Sequence, residues 1–230
     1  MKLGGHIKKD GKDLISMCNT CGKVVNLSED TRDWFGSGYF CPFCNNKLAV
    51  ELDGDVVNVE SLLKLNPSIP EKAEKINGTL YSVLGSTDKD WEIFMALNYL
   101  AANDKTIECP FHIVDSDEKD ETSTLLLFDK QRKIYVGFLD WATNDGEYGT
   151  DYRGSDVLFH IYILEDERNR GYGYEALNYW VENHAKKVNG KFGIELPPKS
   201  QLKNVLIDLG HAKEVDGNFV PIDFYETLNF

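Results

Sequence analysis

The chain has 230 residues, 42% of them hydrophobic and 27% charged, too apolar for an intrinsically disordered protein and too polar for one that lives in a bilayer. No apolar run reaches the roughly 18 to 20 residues of a spanning helix, and none follows the N-terminal lysines, so a cytoplasmic protein without a secretory leader or membrane partner is expected. The net charge is −13, yet residues 1–50 hold seven Lys/Arg against five Asp/Glu; the acidic remainder argues against nucleic acid as a partner and suits a cationic one, or simply solubility.

In residues 1–52 the chemistry is carried by cysteine. Cys18-x-x-Cys21 is followed, after nineteen intervening residues, by Cys41-x-x-Cys44. A two-residue gap lets one tight turn aim two thiolates at one ion, and two such knuckles complete the tetrahedral sulfur shell of zinc. Short strand-like runs at 23–27, 38–40 and 47–52 fit a zinc ribbon. With all four positions filled by cysteine no place remains for water or substrate, so a structural Zn²⁺ is expected, and metal binding would supply much of the folding free energy of so small a module. Trp34, Phe35, Tyr39 and Phe40 offer either a recognition surface or the small core of the ribbon. Lys2, Lys8, Lys9, Lys12 and Lys23 are the only basis for a nucleic-acid contact. Cys109 stands alone, and the odd count of five cysteines argues against a disulfide scaffold.

Residues 53–77 carry Gly54, Pro67 and Pro70 and predict a connector with one helical turn at 59–65. Beyond them, residues 78–230 alternate strands and helices. The pattern predicts a strand at 79–84, a helix over 91–102 capped by Thr87 or Asp88, an acidic loop at 116–121 and a hairpin of 124–128 with 133–141. A polar, glycine-bearing loop follows at 143–155, then an apolar strand at 157–164. A helix at 174–188 carries Tyr174, Leu177, Trp180, Val181, His184 and Val188 on one face. A strand at 192–196, a helix at 200–209 stopped by Gly210, and two short strands at 211–215 and 219–222 complete the chain. His160 and His184 read as satisfied histidines of an apolar strand and an apolar helical face; His6, His112 and His211 lack zinc-ligand spacing.

The strand at 157–164 runs into Glu165-Asp-Glu-Arg-Asn-Arg-Gly-Tyr-Gly-Tyr before the next helix. Gly171 and Gly173 permit a tight turn with several amides pointing into one concavity at a helix N-terminus, where the dipole favours an anion. Arg168 and Arg170 add positive charge. This is a pyrophosphate cradle in physical terms, although it is neither a dinucleotide GxGxxG fingerprint nor a P-loop.

Arg168-x-x-Gly171-x-Gly173, after a buried strand and opening an amphipathic helix, resembles motif A (Q/R-x-x-G-x-G/A) of the GNAT superfamily of N-acetyltransferases. The resemblance covers residues 78–230 and implies an α/β (α+β) fold with a mixed, mostly antiparallel central sheet flanked by helices. It implies acetyl-CoA as cosubstrate, with the backbone of Ile163 on the pantetheine arm and the amides of Asn169, Arg170, Gly171, Tyr172, Gly173 and Tyr174 on the pyrophosphate, Arg168 and Arg170 alongside. Lys199, Ser200 and Asn204 lie where some members touch the cofactor. The implied activity is acetyl transfer to a primary amine: a protein lysine or N-terminus, a polyamine or an amino-sugar. An ammonium with a pKa near ~10.4 is neutral on the order of one time in a thousand at pH 7, so a base is useful, and Glu195 stands where some members place it. The family's usual thiolate-protonating tyrosine is replaced by Leu206, leaving His211 and Tyr225 as substitutes. That departure keeps a second function open: a non-catalytic CoA-binding or interaction protein whose ribbon recruits a partner.

Overall fold

The protein is described here by a computed structural model covering residues 5–10, 13–32, 38–52, 55–64, 70–102, 104, 122–148, 150–195 and 200–227. Trp34, Phe35, Cys109, the acidic stretch 116–121 and Lys199 lie outside the described residues.

The N-terminal part opens with an antiparallel hairpin, β1 (Gly5–Asp10) and β2 (Asp13–Cys18), extended by β3 (Val24–Asn26). The hairpin is additional to the expected ribbon strands; GHIKKD holds a single large apolar residue, so its alternation is faint. A second small sheet joins β4 (Gly38–Phe40), β5 (Lys47–Leu52) and β6 (Asp55–Asn58). Strand β6 and helix α1 (Val59–Leu63) fall in the stretch expected to be a connector, and β7 (Glu74–Asn77) ends it. The stretch is therefore built into sheets at both ends, because Val56 and Val57 pair with β5 while β7 pairs with the strand that follows it.

The central sheet has seven strands in the order β15-β12-β11-β10-β9-β8-β7, comprising β8 (Leu80–Leu84), β9 (Ser123–Asp129), β10 (Ile134–Thr143), β11 (Asp156–Ile163), β12 (Phe192–Glu195) and β15 (Phe224–Thr227). From β7 to β11 every pairing is antiparallel; β11–β12 and β12–β15 are parallel. The architecture is thus mixed α/β with a mostly antiparallel sheet. Strand β15 is absent from the expectation, since four residues near the chain end give too short a pattern. The expected closing pair is a separate hairpin, β13 (Ala212–Val215) with β14 (Asn218–Pro221).

Helices cover both faces. On one lies α2 (Asp88–Ala102), started by a reciprocal cap in which the Asp90 N–H donates to Thr87 Oγ1 (3.1 Å) and the Thr87 N–H to Asp90 Oδ2 (3.1 Å). Its buried side packs Ile93, Phe94 and Leu97 against Leu126, Phe138 and Tyr162 of the sheet. On the other lie α3 (Tyr172–Asn183) and α4 (Ser200–Asp208), which bury Leu177, Trp180 and Leu206 against Leu158, Phe192 and Ile194. Helix α3 stops earlier than its periodicity predicts: the chain turns at His184, and Val188 bridges to Lys191 instead. Tyr174, expected on the buried face, is 38% exposed. The loop after β10, expected to be exposed, is tied at its base, where the N–H of the buried Asn144 donates to Ser155 O (2.8 Å), its carbonyl accepts from the Gly154 N–H (2.7 Å) and its Oδ1 accepts from the amides of Gly146 and Tyr148.

Candidate functional site

The four ribbon cysteines converge. Cys18 Sγ is 3.7 Å from Cys44 Sγ and Cys21 Sγ is 3.6 Å from Cys41 Sγ, with all four sulfurs within 4.8 Å of one another. These gaps are too long for S–S bonds of ~2.05 Å. They match the edge of about 3.8 Å that a tetrahedron with Zn–S near ~2.3 Å requires. Local turns produce the geometry: the Gly22 N–H donates to Cys18 O (2.8 Å) with Gly22 at φ 71°, and the Asn45 N–H to Cys41 O (2.7 Å) with Asn45 at φ 58°. Burial raises the Cys18 thiol, but N–H groups from Cys21, Asn46 and Thr20 outweigh it and bring the pKa down to about 6. Burial and the neighbouring sulfurs push Cys44 up to about 12. Four sulfurs so crowded cannot all be thiolates without a cation among them, and the donor set fits Zn²⁺, which would cross-link the two knuckles.

The second constellation is the turn between β11 and α3. Strand β11 pairs with β12 only at Val157↔Gly193 and Leu158↔Ile194; beyond Leu158 no further pairing joins them among the described residues, and the sheet opens. Past that opening the chain makes a 3-10 turn at Glu165–Glu167 and passes through Asn169 at φ 61° and Gly171 at φ 82° before α3 begins. Two left-handed residues in one short bend make successive N–H groups converge. Among the described residues, no main-chain or side-chain group accepts from the amides of Asn169, Gly171, Tyr172, Gly173 or Tyr174. A Cβ added at Gly171 would meet nothing within 4 Å, and one at Gly173 only Ile163 Cγ1 at 3.9 Å. Among the described residues, no side chain therefore fills the turn at Gly171 or Gly173.

What holds it is a set of polar clamps. Tyr172 donates to the Asp129 carboxylate, which also accepts from Thr79 Oγ1 (2.8 Å) and the Arg132 N–H (2.9 Å). Burial works against the Asp129 carboxylate, but these bonds, Tyr172's first, hold its pKa below the ordinary value. Asn77 donates to Glu175 (2.9 Å), tying β7 to the first turn of α3. Arg168 does not stand free beside the cradle: its Nε donates to Ile163 O (3.0 Å) and its guanidinium pairs with Asp104. Its charge is thus spent on the turn, and the Ile163 carbonyl is already engaged. Arg170, half exposed and 3.4 Å from the buried Glu167, keeps its cation at the rim. Asn204 is exposed on α4, and no hydrogen bond joins it to the turn among the described residues.

Leu206, at the expected tyrosine position, is fully buried among apolar residues. Neither substitute aims a proton at the opening. Ser155 Oγ donates to Tyr152 O (2.7 Å), so the Tyr225 hydroxyl donates to Ser155 (2.8 Å); it also accepts from Asn144 (3.2 Å) and its ring stacks on Tyr152. His211 Nδ1 is held by Asp223 (3.0 Å), and its ring meets the edge of Phe192. His184 packs among Trp141 and Tyr179, and burial lowers its pKa.

His160 is better placed than its sequence suggests. Its Nδ1 lies 3.1 and 3.0 Å from the two carboxylate oxygens of Asp140, which is wholly buried. The two residues face each other across β10 and β11, beside a β-bulge at Asp140/Trp141. Thr124 is paired with Asp140 on one side; Glu195, the expected base, follows Ile194 on β12 and is paired with Thr227. A band of Thr124, Asp140, His160, Glu195 and Thr227 thus crosses five strands on the α2 face, by alternation from Phe138 and Tyr162. The signal was present in sequence as one Asp and one His in otherwise apolar strands, but their pairing needed the register.

No family model matches the chain, and no curated protein matches it. Among solved structures it is similar to a GCN5-related N-acetyltransferase from Kribbella flavida, at 19% identity and a TM-score of 0.28 over 53% of this chain. The aligned part spans 38% of that protein's length.

Proposed function

We propose that the protein is an acetyl-CoA-dependent N-acetyltransferase acting on a primary amine, with a zinc ribbon as a structural module. The observation that carries this reading is the set of amides of Asn169 and Gly171 to Tyr174, for which the described residues supply no acceptor, at the N-terminus of α3 beside the opening between β11 and β12. Such amides and the helix dipole suit a diphosphate. Beyond Leu158, where no pairing joins β11 to β12 among the described residues, the strand suits an extended amide-bearing arm lying alongside it. The arginine and glycine pattern that resembles motif A lies on this same turn.

The chemistry is attack of a neutral amine on the thioester carbonyl carbon. The N–C bond forms, the C–S bond breaks, and the nitrogen's remaining excess proton passes to the departing thiolate. Acetyl-CoA supplies the activated acyl group; the chain supplies anchorage, alignment and acid–base groups beside the opening, Glu195 among them. The acidic balance of the chain favours cationic acceptors.

The test is free-thiol release from acetyl-CoA by the zinc-loaded chain, with spermidine, lysine-containing peptides, free N-terminal peptides and glucosamine as acceptors. Amine-dependent thiol release supports the reading. Tight acetyl-CoA binding with no turnover on any of them would favour the non-catalytic CoA-binding alternative, which the burial of Leu206 motivates.

A further inference from the structure

Resting on the acetyl-transfer reading, we propose that His160 is the base that takes the proton from the acceptor ammonium, with Asp140 as its positioning residue. The geometry is asymmetric in a useful way. Asp140 is wholly buried, whereas the His160 side chain keeps 14% of its surface. Nδ1 faces both oxygens of Asp140, so Nδ1 carries the hydrogen of the neutral ring and proton exchange with a bound amine falls to Nε2. A carboxylate behind an imidazole fixes the tautomer and stabilises the imidazolium once formed, the logic of a base and its orienting group.

The surroundings support a polar ligand at this place. Thr124 and Thr227, at the two ends of the band, are 5% and 1% exposed, and their Oγ1 atoms find no hydrogen-bond partner among the described residues. Buried hydroxyls are nearly always satisfied, so two orphans flanking one Asp–His–Glu group point to a polar partner that the described residues do not supply. The charged groups bearing on His160 among the described residues are Asp140 from β10 and Glu195 from β12; Thr124 from β9 and Thr227 from β15 are neutral. Burial of the ring opposes its charge, but the two carboxylates outweigh it and the pKa is raised above its ordinary value.

An imidazole so tuned suits amine deprotonation near neutrality better than a carboxylate whose ordinary pKa is about 4.3. Glu195 then draws the ammonium into the opening and His160 takes its proton. The neutral nitrogen attacks the thioester carbon, the C–S bond breaks, and the second proton leaves nitrogen for the thiolate. The band selects a primary ammonium over a neutral or anionic acceptor.

The experiment uses the full zinc-loaded chain with saturating acetyl-CoA and spermidine or a lysine-containing peptide. His160→Gln is expected to lower kcat roughly 100-fold or more and to remove the acidic limb of the pH profile, with the Kd for acetyl-CoA unchanged. Asp140→Asn is expected to move that limb to lower pH. A His160→Gln rate within threefold of wild type with the limb intact, or loss of the limb in Glu195→Gln alone, overturns the proposal. So does a wild type that binds acetyl-CoA and acetylates no amine. Should His160→Gln not fold, the His160 imidazole titrated by NMR in the wild type must match the kinetic limb, and a mismatch also overturns it. A wild type that does not bind acetyl-CoA at all fails at the earlier step and removes the acetyl-transfer reading itself.

Discussion

The Tyr99 hydroxyl of α2 donates to the main-chain carbonyl of Tyr39 in β4, 3.4 Å away and 60 residues apart in sequence. The neighbouring Gly38 lies so close to the Tyr99 ring that an added Cβ would sit 2.0 Å from it. Val50, Val59 and Leu63 belong to the same apolar cluster as Ile93, Phe94 and Phe138. The N-terminal cysteine module and the central sheet therefore share a core. Leu63→Ala, at a fully buried position, is expected to destabilise the whole chain by about 2–5 kcal/mol. Cys41→Ser or chelation is expected to lower a single cooperative melting transition, read by calorimetry with metal content measured in parallel. Two independent transitions would mean that the contact carries no coupling.

Gly171 occupies φ 82° with open space around it. Gly171→Ala meets no clash, so its expected cost is only the left-handed strain of roughly 1–2 kcal/mol. The displaced amides should weaken acetyl-CoA binding more than that loss of stability suggests. Paired melting and binding measurements on this variant separate the two effects.

Arg168 joins Ile163 O to Asp104 and lies over the Tyr162 ring. Removing it takes the guanidinium from the Asp104 carboxylate, which is only 6% exposed and also accepts from the Tyr162 hydroxyl (3.4 Å). Arg168→Ala is expected to cost about 1–3 kcal/mol. Because Asp104→Asn breaks the same clamp, the double variant should fall well short of the sum. A double-mutant cycle by urea denaturation checks this; full additivity would show the two side chains acting separately.

The raised pKa of His160 has a consequence for stability as well as for rate. Protonation is favoured in the folded state over the unfolded one, whose imidazole titrates near 6.5. The stabilisation is then fully present below that value and is lost as pH rises through the higher folded pKa. Asp140→Asn should narrow this dependence. The melting-temperature gap between wild type and Asp140→Asn is expected to be wider at about pH 5.5 than at about pH 9.

Local features of the sequence carried furthest. The paired Cys-x-x-Cys knuckles, the capped helix α2 and the glycine turn before α3 each depend on a few adjacent residues, and the residue types alone demand the geometry. Strands β1, β6 and β7 were hidden because each is short and its apolar alternation is weak, although each pairs with its neighbour in sequence. The continuing apolar period hid the early end of α3, where His184 leaves the helix. Arg168 reads in sequence as a free cation for phosphate; only the fold brings Asp104 to it across 64 residues. Asp140 and His160 likewise become a pair through strand register and a bulge, which no local pattern encodes.

Calorimetric titration of acetyl-CoA into the zinc-loaded chain and into Gly173→Trp tests the diphosphate cradle most directly. The account predicts saturable binding by the wild type and none by the variant, with both proteins melting alike. Absence of binding to the wild type at high micromolar acetyl-CoA, or equal affinity in the two proteins, would contradict it.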